Sequence, residues 1–581
     1  MQIKIILVYL MCKVRIRVTK FLFGRYNNLN YPQYIKNISK FKIILPNNNL
    51  KKNLHQTRCS KISYIDLATK KVSIKDKFSW LDFPKESFED NEDFESLHRW
   101  KWIIKKISSN EINTENFNWF LNKVIQWHEL YNDVENKKNN LIWESYNVSE
   151  RICNLIISSK LLKIKIPDEI KLILDHHVNY LLNKLEFFGL NTGNHIINNS
   201  RALYLYGCYY NNKKLINIAE KILLQELPKL LNKEFMLHEG STHYHFLLES
   251  WLLEIYYFLC ESKIKVNKKI IKYIIKINNI TNFFKQGMIN FPKFGDISPD
   301  CSPSWINNIE SSKFFNQHNN KIFNNSCNNL WNNQKIIKIK FKYIKINFFL
   351  KESGFLRVEN KNQIIFLRTK PKTSLKNISI INHGHDDVGH FLYFYKKKPV
   401  IIDSGRFTYK TEIEKYSSFH NSMFTSSYFK NLNYIKFYLL NFLLLKTSVK
   451  IDKYEENFKI TFYKGSKIFK KCFLNSLRII HLKNNFFLLE DFLLNKSFDS
   501  SEIITFAKDV IIEKKNLYLD KNKRYKCHLG FAKNLSILNK KYNLKRYEVI
   551  KYGQRTKTKF LLKKFLKQKN NKFKLLLDWN N

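Results

Sequence analysis

The stretch LWNNQKIIKIKFKY, residues 330–343, separates two parts of this chain that have different periodicity. Its first six residues form a polar break. After the break, apolar residues alternate with lysines: Ile337, Ile339, Phe341 and Tyr343. This period of two is typical of a half-buried β-strand. The same alternation returns at residues 458–462, between turn signals at 456–457 and 465–466, and predicts a second strand there.

Upstream of the break, from about residue 76 to 330, the periodicity is helical. Apolar residues at three- and four-residue steps predict one amphipathic helix: Leu248, Trp251, Leu252, Ile255, Phe258 and Leu259. Helices followed by strands indicate separate layers rather than a βαβ alternation. We therefore predict an N-terminal extension over residues 1–75, a helical domain over 76–332 and an antiparallel β-sandwich over 333–581.

Composition limits the class of protein. The chain has 581 residues, of which 44% are hydrophobic, and this is enough for two or three folded domains. Its formal charge of +51 suits an anionic partner such as nucleic acid, a membrane surface or an anionic polysaccharide. Lysine, asparagine and isoleucine are, however, frequent everywhere, which indicates compositional drift. We predict no nucleic-acid binding, because a localised basic patch and a recognisable motif are both missing.

Neither a membrane span nor a disulfide framework is predicted. The apolar run at residues 5–12 is short for a signal-peptide core and far too short to cross a bilayer. The compartment therefore stays open between the cell envelope and the cytoplasm. The nine cysteines are scattered and form no C-x-x-C pair.

Tryptophan is concentrated before residue 150. Six of the ten tryptophans lie there: Trp80, Trp100, Trp102, Trp119, Trp127 and Trp143. Aromatic residues at this density either fill helix interfaces or line a sugar-binding groove. The sequence leaves both interpretations open.

Residues 381–422 concentrate histidine and glycine, which are otherwise rare in this chain. Four of the 16 histidines lie here: His383, His385, His390 and His420. Two imidazoles and a carboxylate, from His385, His420 and Asp403, would make a zinc site with one position left for water. The alternative is that the H-x-H pair marks only the polar edge of a strand.

Two further clusters lie in the helical part. Asn194 and His195 follow a glycine and could present an amide and an imidazole to an anion, although Asn194 also suits a helix N-cap. Tyr244 lies among histidines before an apolar helix and could move protons. The alternative there is a polar loop capped by Ser241. Residues 291–296, FPKFGD, predict a turn that positions a loop.

Together these motifs resemble the heparinase II/III-like family of polysaccharide lyases. The resemblance rests on their order along the chain: W-x-x-Y-x-x-S-x-R at 143–151, G-N-H at 193–195, E-G-S-x-x-Y-H at 239–245, F-G-D at 294–296, H-x-H-x-D at 383–387, D-x-G-x-x-x-Y at 403–409 and H-N at 420–421. It implies an (α/α) toroid of helical hairpins followed by an antiparallel β-sandwich.

The resemblance also implies an activity, which is β-elimination in a glycan that contains uronic acid. Asn194, His195 and His383 would then neutralise the uronate carboxylate. Tyr244 would be the proton donor, with the base left open among Tyr244, His195 and His383. Glu239 and Tyr409 would lie near the substrate, an anionic polysaccharide.

The resemblance further implies that a mainly structural zinc ion is held by His385, Asp403 and His420. The alternative function is a non-catalytic or biosynthetic glycan-binding protein of capsule or lipopolysaccharide assembly that keeps the same fold.

Overall fold

The structure is a computed structural model. It describes residues 62–74, 78–134, 136, 140–188, 192–285, 288, 291–301, 349–369, 383–385, 387–410, 415, 420–425, 446–465, 475–494, 500–513, 515–520, 522–523, 525–531, 536–537, 547–565 and 572–579. The polar break at 330–335, the strand predicted at 337–343 and nearly all of the predicted N-terminal extension lie outside these residues.

The chain divides into two compact units. The first contains the described residues up to Leu230 together with Leu247–Ile275. The second contains Leu231–Phe246 and the described residues of Lys276–Asn307 and Tyr343–Asn581. A segment of 16 residues from the helical part, which includes Tyr244, thus belongs to the unit that holds nearly all of the strands.

Helices dominate the first half of the chain. The described residues contain nine α-helices: α1 Asn91–His98, α2 Trp102–Ser108, α3 Phe117–Tyr131, α4 Ser145–Leu162, α5 Asp168–Asn183, α6 His195–Tyr209, α7 Lys213–Leu230, α8 Thr242–Glu261 and α9 Lys268–Lys285. A short hairpin, β1 Tyr64–Asp66 with β2 Lys71–Ser73, precedes them. Helix α6 packs against α4 and α7. Helix α5 begins after Pro167 with two acidic residues, which suit the positive end of the helix dipole.

The six early tryptophans are all buried, so they fill the helical core rather than line an open groove. Arg151, from the W-x-x-Y-x-x-S-x-R stretch, is buried among them. Its guanidinium carbon lies 4.5 Å from the Trp127 ring centroid and 5.3 Å from that of Trp143. Its Nε donates a 2.9 Å hydrogen bond to His177 Nε2. Burial lowers the pKa of Arg151 to about 9.

Helix α8 confirms the predicted helix but is not amphipathic. The six residues of the predicted apolar face are buried, and so are Phe246, Leu247, Leu253 and Tyr256 on other sides of the helix. A helix that is apolar all round is an interior helix. The three- and four-residue spacing therefore identified only some of the residues that α8 buries.

Strands dominate the second unit, and all of the pairings between named strands are antiparallel. One sheet has the order β3 Phe349–Leu350, β4 Phe355–Glu359, β5 Gln363–Arg368, β6 Phe391–Tyr395 and β7 Lys398–Ile401. Four other strands form a second sheet: β8 Met423–Thr425, β13 Ser500–Thr505, β17 Ser536–Ile537 and β20 Phe560–Phe565.

The largest sheet has eight strands. In spatial order they are β14 Ile511–Glu513, β15 Asn516–Tyr518, β16 Lys526–Phe531, β21 Lys572–Asp578, β12 Phe486–Leu493, β11 Ser476–Lys483, β10 Asn457–Gly465 and β9 Lys446–Tyr454. Strands β18 Tyr547–Lys551 and β19 Gln554–Lys557 form a separate hairpin. The strand predicted at residues 458–462 is confirmed within β10, where Ile460 and Phe462 are buried.

Aromatic rings join the five-stranded and eight-stranded sheets. Tyr393 of β6 stacks on Phe487 of β12 with ring centroids 4.4 Å apart. Tyr395 stacks on Trp579, which follows β21, at 4.0 Å. Burial alternates strictly along β12, as expected of a sheet with one face in a core. Two sheets joined through their buried faces make a sandwich, as the periodicity predicted.

Among the helices of the described residues, none has both the length and the apolar character that a membrane span requires.

Candidate active site and metal-binding cluster

Three segments that are distant in sequence meet through their main chains in the second unit. The N–H of Asp296 donates to the carbonyl of His383 at 2.9 Å, and the N–H of His383 donates to the carbonyl of Glu239 at 3.2 Å. Gly295, which directly precedes Asp296, has a φ of +77°. A Cβ at this position would lie 2.5 Å from the His383 carbonyl oxygen, so only glycine fits without displacing backbone.

Ser241 places Tyr244 at the beginning of α8. Its hydroxyl accepts a 3.2 Å hydrogen bond from the N–H of Tyr244 and donates to the carbonyl of Asp296 at 2.6 Å. Ser241 therefore caps the helix, as the structural interpretation of this motif predicted. The cap also ties Tyr244 to the segment of Asp296, so the two interpretations do not exclude each other.

Tyr244 and His383 form a stacked pair. Their ring centroids are 3.7 Å apart and their planes differ by 8°. The Tyr244 hydroxyl lies 2.5 Å from the hydroxyl of Tyr409. Tyr409 also donates to the carbonyl of Ile297 at 3.3 Å, which leaves its oxygen able to accept from Tyr244. The pair thus presents a phenol and an imidazole side by side, which is an arrangement suited to proton transfer.

Asp296 contacts both histidines of the H-x-H motif. His383 Nδ1 lies 3.1 Å from its Oδ2, and His385 Nε2 lies 2.8 Å from its Oδ1. Arg406 donates to Oδ2 as well, at 3.1 Å. Burial alone would raise the pKa of Asp296, but the two imidazoles and Arg406 hold that pKa well below its usual range. Asp296 is therefore a buried, ionised carboxylate.

Glu239 approaches the other side of the His383 ring. Its Oε2 lies 4.0 Å from His383 Nε2, which is beyond hydrogen-bonding distance. The Glu239 side chain is buried, whereas that of His383 is 16% exposed. His383 therefore keeps some contact with solvent, while the carboxylates on either side of it are enclosed.

The three predicted metal ligands come together in the second unit. His385, Asp403 and His420 are buried, and each offers a ligand atom within 4.8 Å of the others. His420 Nδ1 lies 3.2 Å from both carboxylate oxygens of Asp403. The N–H of Gly405, whose φ is +72°, donates to Asp403 Oδ1 at 2.9 Å. Burial would raise the pKa of Asp403, but His420 and His390 lower it well below its usual range.

The donors of this cluster fit a transition metal. Because Asp296 is ionised and can only accept, the facing Nε2 of His385 carries its proton, and Nδ1 keeps a lone pair. Among the described residues, that buried Nδ1 has no hydrogen-bond partner. A buried ring nitrogen in this state, beside a second imidazole and an ionised carboxylate, is what zinc requires. The same donor set also suits iron(II).

His390 is a fourth histidine at this cluster. Its Nδ1 accepts a 2.9 Å hydrogen bond from the N–H of Asn421, so the proton of the neutral ring is on Nε2. That nitrogen lies 3.2 Å from Asp403 Oδ2. Burial lowers the pKa of His390, which favours the neutral ring. His390 thus faces Asp403 beside the cluster, although in the described part of the chain its Nε2, like His385 Nδ1, makes no hydrogen bond.

Asn194 and His195 belong to the first unit. Asn194 stands at the N-cap position of α6, but its side chain makes no capping hydrogen bond. The side chain of His195 is 47% exposed, and its Nδ1 lies 3.0 Å from Glu186 Oε1. The His195 ring packs against Tyr146 at 4.5 Å. The predicted pair is thus a buried amide followed by an accessible imidazole.

Sequence reasoning missed three residues of the site in the second unit. Asp296 was assigned only to a turn, Arg406 was given no role, and His390 was counted in the histidine-rich stretch without one. The signals for Asp296 were a rare glycine directly before it and its place in the F-G-D motif. The pairing with His383 involves partners 87 residues apart, which spacing alone does not reveal.

No family model matches the chain, and a search of curated proteins finds no match either. Solved structures do match. A heparinase III structure aligns with a TM-score of 0.61 at 15% identity, over 94% of this chain and 88% of that one. The chain has the heparinase III-like fold. A second heparinase III gene product gives a TM-score of 0.55 at 15% identity, over 96% and 92% of the two chains.

A mutant of the heparan sulfate lyase HepC from Pedobacter heparinus gives a TM-score of 0.53 at 14% identity, over 94% of this chain and 87% of that one. These alignments confirm the predicted fold class, an (α/α) toroid followed by an antiparallel β-sandwich, and the predicted resemblance at the level of the fold. In this heparinase III-like fold, the second unit holds Tyr244, His383 and the candidate metal-binding cluster described above.

Proposed function

We propose that the protein is a polysaccharide lyase that cleaves glycans containing uronic acid by β-elimination. The observation that carries this proposal is the stacked Tyr244–His383 pair, whose phenol lies against Tyr409 and whose imidazole is held by Asp296. The heparinase III-like fold supports it, because the solved structures with this fold include a heparan sulfate lyase.

The reaction needs a base, an acid and a way to neutralise a carboxylate. The base removes the proton from C5, the electrons of that bond form the C4–C5 double bond, and the C4–O bond breaks. The leaving oxygen takes a proton from the acid, which we assign to Tyr244. A positioned acid or base contributes typically about 10²–10⁴-fold to the rate.

Removal of the C5 proton adds charge to a carboxylate that is already negative. Donors directed at that carboxylate stabilise the enolate-like state, each by about 2.7–4 kcal/mol where such donors have been measured. We assign this role to Asn194, His195 and His383, and we assign contacts with the sugar to Glu239 and Tyr409. Tyr244, His195 and His383 remain the three candidates for the base.

A zinc ion held by His385, Asp403 and His420 would serve the structure. When bound, it would supply a cross-link between the segments of the second unit that carry these residues, and no step of the reaction is assigned to it. The metal would be identified by elemental analysis of the purified protein, with iron(II) as the competing assignment. Metal content well below one ion per chain after purification with zinc would contradict this part.

The test of the lyase is the ultraviolet absorbance of unsaturated uronate. Purified protein is incubated with alginate, heparan sulfate, hyaluronan and a mixed bacterial capsule polysaccharide. We expect absorbance to rise with at least one polymer, and to be lost in Tyr244→Phe and reduced in Asn194→Ala and His195→Ala. Tyr518→Phe, the same substitution in strand β15 of the large sheet, is the matched control and should keep full activity.

Absence of product from every polymer, with the protein folded and carrying metal, would contradict the lyase. Glycan binding that persists under those conditions and survives Tyr244→Phe would favour the alternative, a non-catalytic or biosynthetic glycan-binding protein. Activity that survives Tyr244→Phe would retain the lyase and remove Tyr244 as its acid.

A further inference from the structure

One carboxylate lies between the pair proposed to transfer protons and the cluster proposed to hold metal. Asp296 is completely enclosed, and its two oxygens face different imidazoles, His383 through Oδ2 and His385 through Oδ1. His383 and His385 are two residues apart on one segment. Asp296 comes from a separate segment, which is fixed to the first by the hydrogen bond from its N–H to the carbonyl of His383.

We infer that Asp296 is a positioning residue that fixes the tautomers of His383 and His385 together. An ionised carboxylate can only accept, so each ring nitrogen that faces it must carry a proton. His383 is then protonated on Nδ1 and His385 on Nε2. In the neutral rings, the lone pairs lie on the opposite nitrogens, His383 Nε2 and His385 Nδ1.

Each of these lone pairs lies where the proposed function needs it. His385 Nδ1 is one of the buried ring nitrogens without a hydrogen-bond partner among the described residues, and it is available for metal together with His420 Nε2. His383 Nε2 lies on the side of the ring away from Asp296, on a side chain that is partly exposed, and is 4.0 Å from Glu239 Oε2, beyond hydrogen-bonding distance. With the opposite tautomers, His385 would direct an N–H toward the metal. Both rings would also direct a lone pair toward the negatively charged carboxylate of Asp296.

Arg406 is a third group that contacts Asp296. Arg406 donates to Asp296 Oδ2 at 3.1 Å and to the carbonyl of Tyr409 at 3.1 Å. It therefore links Asp296 to Tyr409, whose hydroxyl contacts that of Tyr244. Its positive charge lies beside the negative charge of the carboxylate. The inference rests on the proposed function for the roles of the two lone pairs, but the tautomers themselves follow from the contacts of two ring nitrogens with one carboxylate that also accepts from Arg406.

The first test uses the unaltered protein. With ¹⁵N-labelled histidine, long-range proton–nitrogen correlation spectra identify which ring nitrogen carries the proton, and His383→Gln and His385→Gln assign the signals. We expect His383 in the Nδ1–H form and His385 in the Nε2–H form in metal-free protein. Addition of zinc should shift His385 Nδ1 and leave the His383 tautomer unchanged. The opposite tautomer at either ring would overturn the inference.

The second test is Asp296→Asn, which removes the charge and offers a carbonyl to only one ring. We expect metal affinity, measured by competition with a chelating dye, to fall by about 10–100-fold, as is typical when a partner that orients a ligand is lost. We also expect kcat to fall while KM changes little, because His383 is misoriented but the sugar contacts remain. At least one of the two rings should change its tautomer.

Two variants separate this role from general disruption. Asp387→Asn removes a buried carboxylate of the same segment that pairs with Arg368, and should keep metal affinity and both tautomers. Arg406→Gln should also keep both tautomers, since the contacts of Asp296 with the imidazoles remain. Unchanged metal affinity and tautomers in folded Asp296→Asn would overturn the inference.

Failure of the lyase and failure of this inference are distinguishable. A protein without lyase activity that shows the expected tautomers, and loses metal affinity in Asp296→Asn, would retain the inference and reject the proposed function. Wrong tautomers in a protein whose lyase activity depends on Tyr244 would reject only the inference.

Discussion

Two pairs of buried histidines, one pair in each unit, have neighbours of opposite charge. In the first unit, His98 and His177 lie beside the Arg151 cation, and burial together with that cation lowers the pKa of both. They accept hydrogen bonds from Trp127 Nε1 and Arg151 Nε. In the second unit, His385 and His420 lie beside ionised aspartates.

This difference separates histidines that accept hydrogen bonds in the helical core from histidines that we propose bind metal. A neutral imidazole beside a cation serves as an acceptor and cannot easily gain a proton. An imidazole beside a carboxylate keeps an N–H toward that carboxylate and has its second nitrogen available for a metal or a substrate. Burial alone does not distinguish the two groups, since both lie in the interior.

The largest expected effect is on metal binding in the second unit. Asp403→Ala removes the one carboxylate of the cluster and leaves two imidazoles, so metal affinity should fall by more than the roughly 100-fold upper range for residues that only orient ligands. Elemental analysis after dialysis measures the loss. Asp520→Ala, which removes the partner of Lys398 at the surface, is the control and should keep its metal. Full metal content in Asp403→Ala would show that the cluster is not the metal site.

The next effect is on the stability of the first unit. Arg151→Met leaves His177 Nε2 and the carbonyl of Ile142 without their donor and removes the charge stacked on the tryptophans. We expect a loss of roughly 3 kcal/mol of unfolding free energy. Urea unfolding followed by tryptophan fluorescence measures it, because tryptophans surround Arg151. Unchanged stability would mean that the cost of burying the guanidinium cancels these contacts. Metal content should not change.

The third effect is a pH dependence of the stability of the first unit, to which His98 and His177 contribute. His98 and His177 have lowered pKa values in the folded protein and ordinary values, near 6.5, when unfolded. Below about pH 6.5 the unfolded chain therefore binds more protons, and each residue should cost about 1.4 kcal/mol of stability per pH unit.

Urea unfolding at pH 7.5, 6.5 and 5.5, with tryptophan fluorescence, measures this slope. His128 and His176 also have lowered pKa values and add to this slope, whereas Glu144, whose pKa is raised by burial to about 7, opposes it. His177→Gln keeps an acceptor for Arg151 but cannot titrate, so the slope should fall by up to about 1.4 kcal/mol per pH unit. A parent protein whose first unit is equally stable at pH 7.5 and 5.5 would show that these imidazoles are not held neutral.

The smallest expected effect concerns His390. If it only holds Asp403, His390→Gln should weaken metal binding by about tenfold, near the lower limit for such residues. Competition with a chelating dye measures this. A loss as large as that in Asp403→Ala would make His390 a ligand and would extend the cluster to four residues.

Much of the fold could be predicted, because it depends on local patterns. The alternation at 458–462 and the apolar spacing at 248–259 gave a strand and a helix that the structure contains. The two-unit division was less accessible. Helix α8 is continuous, but its first five residues belong to the second unit and the rest to the first. Periodicity predicts that a segment is helical, but it does not show which of the two units each turn of the helix belongs to.

The candidate site was predictable where residues are close in sequence. The H-x-H motif, Asp403 and His420 lie within 38 residues and were grouped for that reason. Asp296 comes from another segment, and only the fold brings it to His383 and His385. Arg406 was overlooked because arginine and lysine are so abundant here, 100 in all, that one buried guanidinium is not visible in the composition.

The hydrogen bonds that join Glu239, Asp296 and His383 run through main-chain atoms, and Gly295 lets the backbones approach. A frame of this kind does not depend on which side chains it carries. Substitutions at 239 or 383 could therefore alter what the site accepts without moving the loops, whereas a methyl group at 295 would displace all three. Such a scaffold suits directed evolution: libraries can vary the side chains freely, provided that this single glycine is kept.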